Sequence, residues 1–502
     1  MKLAEVQRWA RGRLHRAYEG ALLHVTSRVL QAIYRESPAI CDLRDGYLQI
    51  RKLRFPARPL PFRRLEITAL PRGMRTMPSV LARLRQSLKG TEYARRWPAF
   101  RTDFENSVAN VVLNRLLGPK ARSIEPAYQG HQYWPFPALR VGPNLEQVLA
   151  CSHLTRKPVV LPLLEVDDCR LISARFGSYA AFQRAWSGIK GEALIPVHPW
   201  QLELSPVVRE LLRIGSVKRS SQKVEMIPLA SQRTCRILTT GYDVKLPVDA
   251  TLTGEHRLLY RLNLENAPLV SALAEELLRE SGLRTLAFQP DVASVFHPRF
   301  GSHLGAIVRQ PVKARSGERL VAAINLWTGP HQARALLRRV PVEKFFARYC
   351  RVLMEGPVVF YAKWGMAFEP HIQNVYVGLR NGLPARIVLR DLDNSILDPR
   401  RVRSRMRALG GPANDTWRHM PPYADGGRRL VQAMMYGHLG EVMLRLSDDH
   451  GAHADRLLAI VEHSWNALEK SGGQQLRGWS NSVKTTLRTR LERATRLRFV
   501  RE

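Results

Sequence analysis

Two short polar stretches flank a predicted β-hairpin in the last third of the chain. The hairpin is predicted from apolar alternation over Val375 to Leu379, a turn at Asn381-Gly382 and a β-branched run over Arg386 to Leu389. Antiparallel pairing places residues before and after the turn opposite each other, so the two polar stretches should meet at the open end of the hairpin. The residues expected there are Glu369, His371, Gln373, Asn374, Arg390, Asp391 and Asp393.

This group of side chains suits a divalent cation. Carboxylate and amide oxygens are the hard ligands that magnesium prefers, and magnesium keeps coordination positions open for phosphate. The alternative is an ordinary ion pair at the polar end of a hairpin. The hairpin alone does not decide between the two.

A second group of candidate residues is basic and lies upstream of the hairpin. Ser231, Arg233 and Thr234 are predicted on one strand, Lys245 on the next strand, and Arg257 in the first turns of a helix that begins near Thr253. A triphosphate needs several cationic donors on rigid elements, and a helix N-terminus adds backbone amides and a favourable dipole. The alternative is that Arg233 and Lys245 are exposed hairpin residues.

Two histidines in loops are also notable. His198 lies in PVHPWQ, between proline and tryptophan, and is interpreted as a structural imidazole. His131 follows Gly130 in a loop that continues to Arg140 and Gly142, and it is a candidate for catalysis.

The composition narrows the class of protein. The chain has 502 residues, 45% apolar and 24% charged, as expected for a globular protein of several domains. Lysine and arginine number 78 against 43 acidic residues, a net charge of +35, which predicts attraction to polyanions. The basic residues are spread along the chain without a nucleic-acid-binding motif, so no specific nucleic-acid partner is expected.

The location is predicted from cysteines and hydropathy. The five cysteines are odd in number and far apart, which is typical of reduced thiols in a cytoplasmic protein. The first 25 residues carry charges throughout and no continuous apolar segment, and nothing approaches the roughly 18 apolar residues of a membrane span. A cytoplasmic protein without a membrane partner is therefore expected.

Helical and strand patterns are mixed throughout, which predicts an α/β (α+β) chain in three segments. Residues 1–124 are predicted mostly helical, 125–329 rich in strands, and 330–502 largely helical apart from the hairpin. Four helices are predicted in the last segment: Pro341 to Glu355, ended by Gly356-Pro357, then Leu430 to Leu446, Ala454 to Lys470, and a basic helix over Asn481 to Arg498. GxxxxGK[ST], GxGxxG after a strand, HExxH and GxSxG are all missing from the sequence.

The motifs resemble those of the IucA/IucC family of NRPS-independent siderophore synthetases, with a C-terminal FhuF-like region. The matching motifs, in family order, are PVHPWQ at Pro196 to Gln201, SQRT at Ser231 to Thr234, KL at Lys245, T-x-x-x-R at Thr253 to Arg257, EPHIQN at Glu369 to Asn374, RDLD at Arg390 to Asp393, and VKTTLRTR at Val483 to Arg490. One motif departs from the family: in GHQYWPFPALRVG, Trp134 replaces a histidine and Ala138 a lysine.

The resemblance implies a fold and a set of residue roles. The fold is a cupped hand with a thumb (1–124), fingers (125–329) and a palm (330–502). The implied ATP-binding residues are Ser231, Arg233, Thr234, Lys245, Arg257, Gln373 and Asn374. The implied catalytic residues are His131, Arg257 and His371, the substrate carboxylates face His371, Arg257 and Lys484, and Glu369 and Asp391 hold magnesium.

The resemblance also implies an activity. The expected enzyme is an ATP- and Mg²⁺-dependent ligase that adenylates a carboxylate of citrate or a related polycarboxylic acid and condenses it with an amine or alcohol. A homodimer is expected. Two alternatives stay open: a degenerate member that binds nucleotide or siderophore without turnover, and a magnesium-dependent phosphotransferase that releases ADP.

Overall fold

The structure is a computed structural model. It describes residues 1–10, 14–62, 64–118, 130–131, 134–155, 157–176, 178–189, 193–328, 332–409, 423–470, 482–485 and 498–501.

The N-terminal part combines helices with a four-stranded antiparallel meander, β1 to β4 in chain order. Its helices are α1 (Leu3–Ala10), α2 (His15–Glu36), α3 (Met77–Ser87), α4 (Glu92–Arg95) and α5 (Trp97–Leu117). Its strands are β1 (Cys41–Arg44), β2 (Tyr47–Ile50), β3 (Leu53–Leu60) and β4 (Arg64–Ile67).

The middle part is built around strands. They are β5 (Arg140–Val141), β6 (Val159–Leu161), β7 (Leu163–Glu165), β8 (Arg170–Ser173), β9 (Leu194–Pro196), β10 (Lys218–Arg219), β11 (Val224–Pro228), β12 (Thr234–Ile237), β13 (Asp243–Lys245), β14 (Val248–Leu252), β15 (Glu255–Arg257), β16 (Leu286–Phe288), β17 (Asp291–Phe296), β18 (Gly305–Arg309) and β19 (Arg319–Ala322). The helices are α6 (Leu145–Ala150), α7 (Tyr179–Ser187), α8 (Pro199–Leu204), α9 (Pro206–Arg213), α10 (Arg261–Ser281) and α11 (Ala323–Thr328).

The C-terminal part is mainly helical. Its helices are α12 (Gln332–Leu337), α13 (Val342–Trp364), α14 (Pro399–Ala408), α15 (Tyr423–Met434), a π-helix (Met435–Leu439), α16 (Gly440–His450) and α17 (Ala454–Lys470). Its strands are β20 (Met366–Ala367), β21 (Val375–Arg380), β22 (Leu383–Leu389), β23 (Ile396–Leu397), β24 (Ser482–Thr485) and β25 (Arg498–Arg501).

A seven-stranded sheet forms the centre of the middle part, in the order β6-β11-β12-β13-β18-β17-β8. Every residue of β17 and β18 is buried, because both faces of the sheet are covered there. A second sheet, β16-β22-β21-β19, contains the predicted hairpin. The register Val375↔Leu389 confirms the hairpin, and Asn381 (φ 50°) and Gly382 (φ 76°) form its turn.

Two large hydrophobic cores hold these parts together. The first runs from α1 to β18 and packs the N-terminal helices against the seven-stranded sheet. The second joins α10 and α13 with the hairpin and the C-terminal helices. Among the described residues, no helix has the length and apolar character needed to cross a membrane. The mixed α/β class is confirmed, whereas the three domain boundaries stay predictions.

The helix predicted to begin near Thr253 is wrong. Leu252 pairs directly with Glu255, so Thr253 (φ 63°) and Gly254 form a two-residue hairpin turn and Arg257 lies on β15. The helix α10 begins only at Arg261. Turn formation and pairing with β14 override the helix propensity of this stretch.

Three other local predictions are wrong. Ser231 and Arg233 lie in the turn before β12 rather than on the strand, because Gln232 adopts φ 65°. The helix α13 continues through Gly356-Pro357 to Trp364, since this segment is buried in the second core and packing outweighs the hydrogen bond that proline removes. Residues 482–485 form a strand paired with 498–501 instead of a helix.

Candidate active site

The open end of the hairpin brings together part of the predicted polar group. The Arg390 N–H donates to the Asn374 carbonyl at 3.0 Å, and its guanidinium donates to the Gln373 carbonyl through Nε (3.0 Å) and Nη2 (2.7 Å). The side chain of Asn374 donates to the Glu369 carbonyl at 3.3 Å, which fixes the loop that carries His371. The predicted meeting of the two polar stretches is thus confirmed at Arg390, Gln373 and Asn374.

The two aspartates after Arg390 bind cations of the seven-stranded sheet. Lys245 Nζ lies 2.9 Å from Asp391 Oδ1 and 2.7 Å from Asp393 Oδ2. Arg309 Nη2 donates to Asp391 and, at 3.2 Å, to Asp393, while its Nε binds Asp291 at 2.6 Å. Lys245 and Asp391, predicted for phosphate and for magnesium, therefore contact each other. The sequence interpretation missed Arg309, whose type and strand position alone carried no distinguishing signal.

The contacts just described form one charged network, which shifts the pKa values of two of its carboxylates. Its members are Lys245, Asp291, Arg309, Asp391 and Asp393. Burial alone would raise the pKa of Asp391, but attraction to Lys245 and Arg309 holds it well below its ordinary value. Burial raises the pKa of Asp291 to about 6, against the attraction of Arg309. Asp391 also adopts φ 69°, an uncommon conformation for a residue other than glycine.

Arg233 and Arg257 lie side by side next to this network. Arg233 Nη1 donates to the carbonyls of Arg257 (3.3 Å) and Leu258 (3.2 Å). Arg257 Nη2 donates to the Leu252 carbonyl (3.0 Å) and to Thr253 Oγ1 (2.6 Å), so the β14–β15 turn positions it. Burial and then repulsion from Arg257 lower the pKa of Arg233 to about 10. The Arg257 guanidinium also pairs with Glu255 at 3.2 Å, whereas Arg233 donates to backbone carbonyls, so an anion would be favoured beside Arg233.

Ser231 and Thr234 shape the turn that carries Arg233. Ser231 Oγ accepts a hydrogen bond from the Thr234 N–H at 3.0 Å. Gln232 receives a 2.8 Å hydrogen bond from Arg140, and Arg140 is otherwise held by Asn110 (2.6 Å) and other buried amides. Arg140 therefore holds the turn in place through Gln232. Burial lowers the pKa of Arg140 to about 10.

His131 and His371 come together although 240 positions separate them in the sequence. Their ring centroids are 5.5 Å apart, and the ring of His131 is 6.4 Å from that of Trp134. Trp134 and Ala138 are only 5% and 4% exposed. A Cβ on Gly254 would come within 2.4 Å of the Trp134 ring, so this tryptophan packs on the turn that positions Arg257. The two replacements in this loop are thus packing residues.

A buried hydrogen-bond chain behind His371 was missed by the sequence interpretation. His438 Nδ1 contacts the Pro370 carbonyl at 2.8 Å and Nε2 contacts Tyr349 Oη at 2.5 Å, while Trp327 Nε1 donates to the same hydroxyl at 3.0 Å. His438 lies in the π-helix, a rare element that is frequent at functional sites. Two glycines within a helical pattern, Gly437 and Gly440, were the available signal.

His198 is structural, as interpreted. It is fully buried, its Nδ1 accepts from the Trp200 N–H at the start of α8 (3.1 Å), and its Nε2 lies 3.0 Å from the Gln232 carbonyl. Burial lowers its pKa to about 4. Since a backbone N–H can only donate, the neutral ring carries its proton on Nε2.

Two predicted roles stay predictions. Lys484 is in β24, which packs against α2 and α15, but its side chain is outside the described part of the structure.

Within the described residues, no cluster of three or more His, Cys, Asp or Glu side chains could hold a metal ion. Magnesium needs only one or two carboxylates when phosphates complete its coordination, so Glu369 and Asp391 fit by donor type. Glu369 lies 3.9 Å from Arg429.

Two family models match the chain. Residues 121–327 match the IucA / IucC family and residues 343–490 match the ferric iron reductase FhuF-like transporter model. Staphyloferrin A synthase of Staphylococcus aureus (strain NCTC 8325 / PS 47) is 23% identical over 306 residues, which cover 54% of this chain and 52% of that protein. The chain spans about half the length of the curated relatives it matches.

Solved structures share the fold over nearly the whole chain. The petrobactin biosynthesis protein AsbB from Bacillus anthracis str. Sterne matches with a TM-score of 0.80 at 16% identity, covering 97% of this chain and 95% of that one. The ATP-bound aerobactin synthetase IucA from a hypervirulent pathotype of Klebsiella pneumoniae matches with a TM-score of 0.74 at 15% identity, covering 95% and 98%. Residues 121–327 of the chain are therefore identified as an IucA/IucC family region, and residues 343–490 as a FhuF-like region.

Proposed function

We propose that this chain is an ATP- and magnesium-dependent siderophore synthetase. It would adenylate a carboxylate of citrate or a related polycarboxylic acid, release pyrophosphate, and transfer the acyl group to an amine or an alcohol. The observation that carries the proposal is the convergence of Arg233 and Arg257 beside the Lys245–Asp391 contact. Its wider support is the family match and the likeness to an ATP-bound synthetase. A homodimer stays a prediction from the resemblance.

The arginines and the turn would bind the nucleotide. Arg233 and Arg257 would neutralise the phosphates, Ser231 and Thr234 hold the turn between them, and Gln373 and Asn374 would contact the nucleotide from the hairpin end. Positioning and charge neutralisation on fixed groups are the main sources of rate acceleration in such a transfer. No covalent bond to the protein is required.

The contact between Lys245 and Asp391 would contribute to binding both phosphate and magnesium. Lys245 would exchange part of its contact with Asp391 for a phosphate oxygen, which would leave Arg309 as the remaining cationic partner of Asp391 Oδ1. Glu369 and Asp391 would hold magnesium, which when bound supplies neutralisation of phosphate charge. Asp393 keeps Lys245 and Arg309 paired throughout, so no buried cation is left uncompensated.

The substrate acid would lie between the histidine pair and the cations. His131 and His371 would contact its carboxylates, together with Arg257 and, from β24, Lys484. Because His131 and His371 come from different parts of the chain, their rings face one another only in the folded protein. They would orient the carboxylate that attacks the α-phosphate.

A screen for pyrophosphate release tests the proposal. ATP, magnesium, a polycarboxylic acid and an amine or alcohol are combined in pairs, and AMP and pyrophosphate are measured. Arg233→Met should lower kcat/KM for ATP by about 10- to 100-fold, the equivalent of one charged hydrogen bond. Arg219→Met, at an exposed arginine of β10, is the matched control and should leave kcat/KM unchanged.

The products separate the alternatives. Acid-dependent AMP and pyrophosphate support the synthetase. ADP as the nucleotide product would show a phosphotransferase instead, and calorimetric binding of ATP without turnover of any pair would show a protein that only binds. Asp391→Asn should abolish pyrophosphate release, and an active Asp391→Asn protein would contradict its assigned role.

A further inference from the structure

A hydrogen-bond chain of four groups lies behind the loop that carries His371. It runs from Trp327 in α11 through Tyr349 in α13 and His438 in the π-helix to the Pro370 carbonyl. The distances are 3.0 Å from Trp327 Nε1 to Tyr349 Oη, 2.5 Å from Tyr349 Oη to His438 Nε2, and 2.8 Å from His438 Nδ1 to the Pro370 oxygen. Tyr349 and His438 are fully buried and Trp327 is 3% exposed, so these groups depend on one another for hydrogen bonds.

The chemistry of the end groups fixes the direction of the hydrogen-bond chain. A backbone carbonyl only accepts, so His438 carries a proton on Nδ1. An indole N–H only donates, so the Tyr349 hydroxyl accepts from Trp327 and gives its own proton to His438 Nε2. Every proton of the hydrogen-bond chain then has an acceptor.

The His438 ring is neutral and has one favoured tautomer. Burial lowers its pKa to about 3; the Pro370 carbonyl opposes this shift and His371 adds to it. A neutral imidazole has a second tautomer, with its proton on Nε2. In that form the Nδ1 lone pair would face the Pro370 carbonyl and the Tyr349 hydroxyl proton would lose its acceptor, which is costly in a buried site. The surroundings therefore select the tautomer that donates to Pro370.

The Pro370 carbonyl lies between two residues of the candidate active site. Pro370 joins Glu369, the proposed magnesium ligand, to His371, which would contact the substrate. The Glu369 carbonyl accepts from the His371 N–H at 2.9 Å and from Asn374 Nδ2 at 3.3 Å. Proline has no N–H, so its carbonyl is the group through which a hydrogen bond can hold its backbone. The hydrogen bond from His438 therefore orients the peptide that leads directly into His371.

The π-helix contacts His371 a second time. A Cβ on Gly437 would lie 3.0 Å from His371 Cβ, so the backbone of the π-helix packs directly against this side chain. Two successive residues, Gly437 and His438, thus hold the loop by packing and by a hydrogen bond. The rings of His371 and His131 are 5.5 Å apart, so a displacement of the loop would change the geometry of the histidine pair.

We propose that His438 is a positioning residue for His371, acting as a neutral donor to the Pro370 carbonyl with its ring fixed by Tyr349 and Trp327. It would not touch the substrate, since both of its nitrogens are bound inside the protein. Its effect on catalysis rests on the proposed function, whereas its tautomer and its hold on the loop do not. The first measurement therefore needs no turnover.

¹⁵N spectra of the full chain with labelled histidine test the donor directly. Each ring nitrogen reports whether it carries a proton, and the His438 signals are those missing from His438→Asn. The unmodified chain should show a neutral His438 with its proton on Nδ1 from about pH 8 to about pH 5. A proton on Nε2, or a charged ring in this range, would overturn the proposal.

Two substitutions separate the donor from the packing. His438→Asn places an amide N–H where Nδ1 was, whereas His438→Leu has a similar size and no donor; both remove the partner of the Tyr349 hydroxyl. We expect kcat/KM for the acid to fall about tenfold or more in His438→Leu and less than about threefold in His438→Asn. Equal losses in the two variants would indicate a purely structural residue and overturn the positioning role.

Binding of ATP provides the internal control. Arg233 and Arg257 are held by the backbone of β15 and by the β14–β15 turn, so calorimetry without the acid should give the same Kd for ATP in both variants, within about twofold. A loss of ATP binding that matches the loss of kcat/KM would place the effect in the fold and overturn the positioning role.

The spectra decide if no pair of substrates is turned over, in which case the proposed function fails by itself. The His371 signals should then move further in His438→Leu than in His438→Asn, and equal movement would overturn the proposal. The tautomer of the unmodified chain decides even if His438→Leu does not fold.

Discussion

Two kinds of buried ionisable side chain occur near the candidate site, paired and neutral. Lys245, Arg309, Asp391 and Asp393 each have an opposite charge within hydrogen-bonding distance. His198 has no such partner and remains neutral, since burial disfavours its charged form. The first kind joins two parts of the chain at the candidate site, whereas the second supports the turn that carries Arg233.

The neutral His198 predicts a pH dependence of stability. Its pKa is about 4 in the folded protein and near 6.5 when unfolded, so the unfolded state binds the extra proton as the pH falls below 6.5. Between about pH 8 and pH 5 the free energy of unfolding should fall by about 2 kcal/mol more in the unmodified chain than in His198→Asn. Urea unfolding at both pH values measures this difference.

The asparagine of His198→Asn can still cap α8 but cannot titrate. The difference between the two proteins therefore reports the protonation of His198 alone. Asp291, whose pKa is raised to about 6, has the opposite effect because the folded state takes up its proton first; this effect is common to both proteins and cancels in the difference. The same pH dependence in both proteins would contradict a neutral His198.

The π-helix is the element that brings the C-terminal helices onto the candidate site. Its extra residue per turn lets Gly437 face His371 while His438 points to Pro370 and Tyr349. The loop from Glu369 to Asn374 is therefore held from one side by the hairpin and from the other by this helix. An ordinary α-helical turn would place different side chains against the loop.

Gly437→Ala should lower activity more than stability. The added Cβ would lie 3.0 Å from His371 Cβ, so the His371 loop must shift by a few tenths of an ångström. We expect kcat/KM for pyrophosphate release to fall about tenfold or more, because small displacements of a positioning group are costly to catalysis. Alanine also favours the helical state, which limits the loss of stability.

Gly356→Ala in α13 is the matched control. Its Cβ would lie 2.8 Å from Leu286 Cβ, a tighter contact than that at Gly437, within the second core and away from His371. This variant should lose stability and keep its activity per folded molecule. Equal losses of activity in the two variants would show that Gly437 has no special relation to His371.

At the scale of the whole molecule, the surplus of basic residues is large. A net charge of +35 would remain even if each of the 43 acidic residues were paired with one of the 78 basic residues. A positive surface attracts anionic nucleotides and carboxylic acids over a distance set by the ionic strength. The charge therefore should act on substrate encounter rather than on the chemical step.

Raising the salt concentration should separate an effect on substrate encounter from an effect on the chemical step. Raising NaCl from about 0.01 M to about 0.3 M shortens the screening length several-fold and should lower kcat/KM for the carboxylic acid about tenfold. The value of kcat should change less than about twofold, which serves as the internal control. Steady-state rates of pyrophosphate release at both salt concentrations provide the measurement, and a constant kcat/KM would exclude steering by the net charge.

The sequence by itself determined the local features that depend on neighbouring residues. Apolar alternation and Asn381-Gly382 specify the hairpin, and the hairpin brings Arg390 to Gln373 and Asn374. The candidate site was identified from residue types, because few side chains can bind phosphate or a divalent cation. These residues are the basic group, the aspartates of the charged network and the two histidines. The motifs also identified the family.

Only the tertiary structure decided which of these side chains meet. Asp391 and Lys245 were expected to bind different partners and contact each other, and Arg309 and His438 join the site from elements that no local pattern connects to it. The turn at Thr253-Gly254 and the continuation of α13 through Pro357 depend on strand pairing and burial with distant segments. These contacts join residues far apart in the chain, and their energies exceed the local preferences from which a sequence pattern is interpreted.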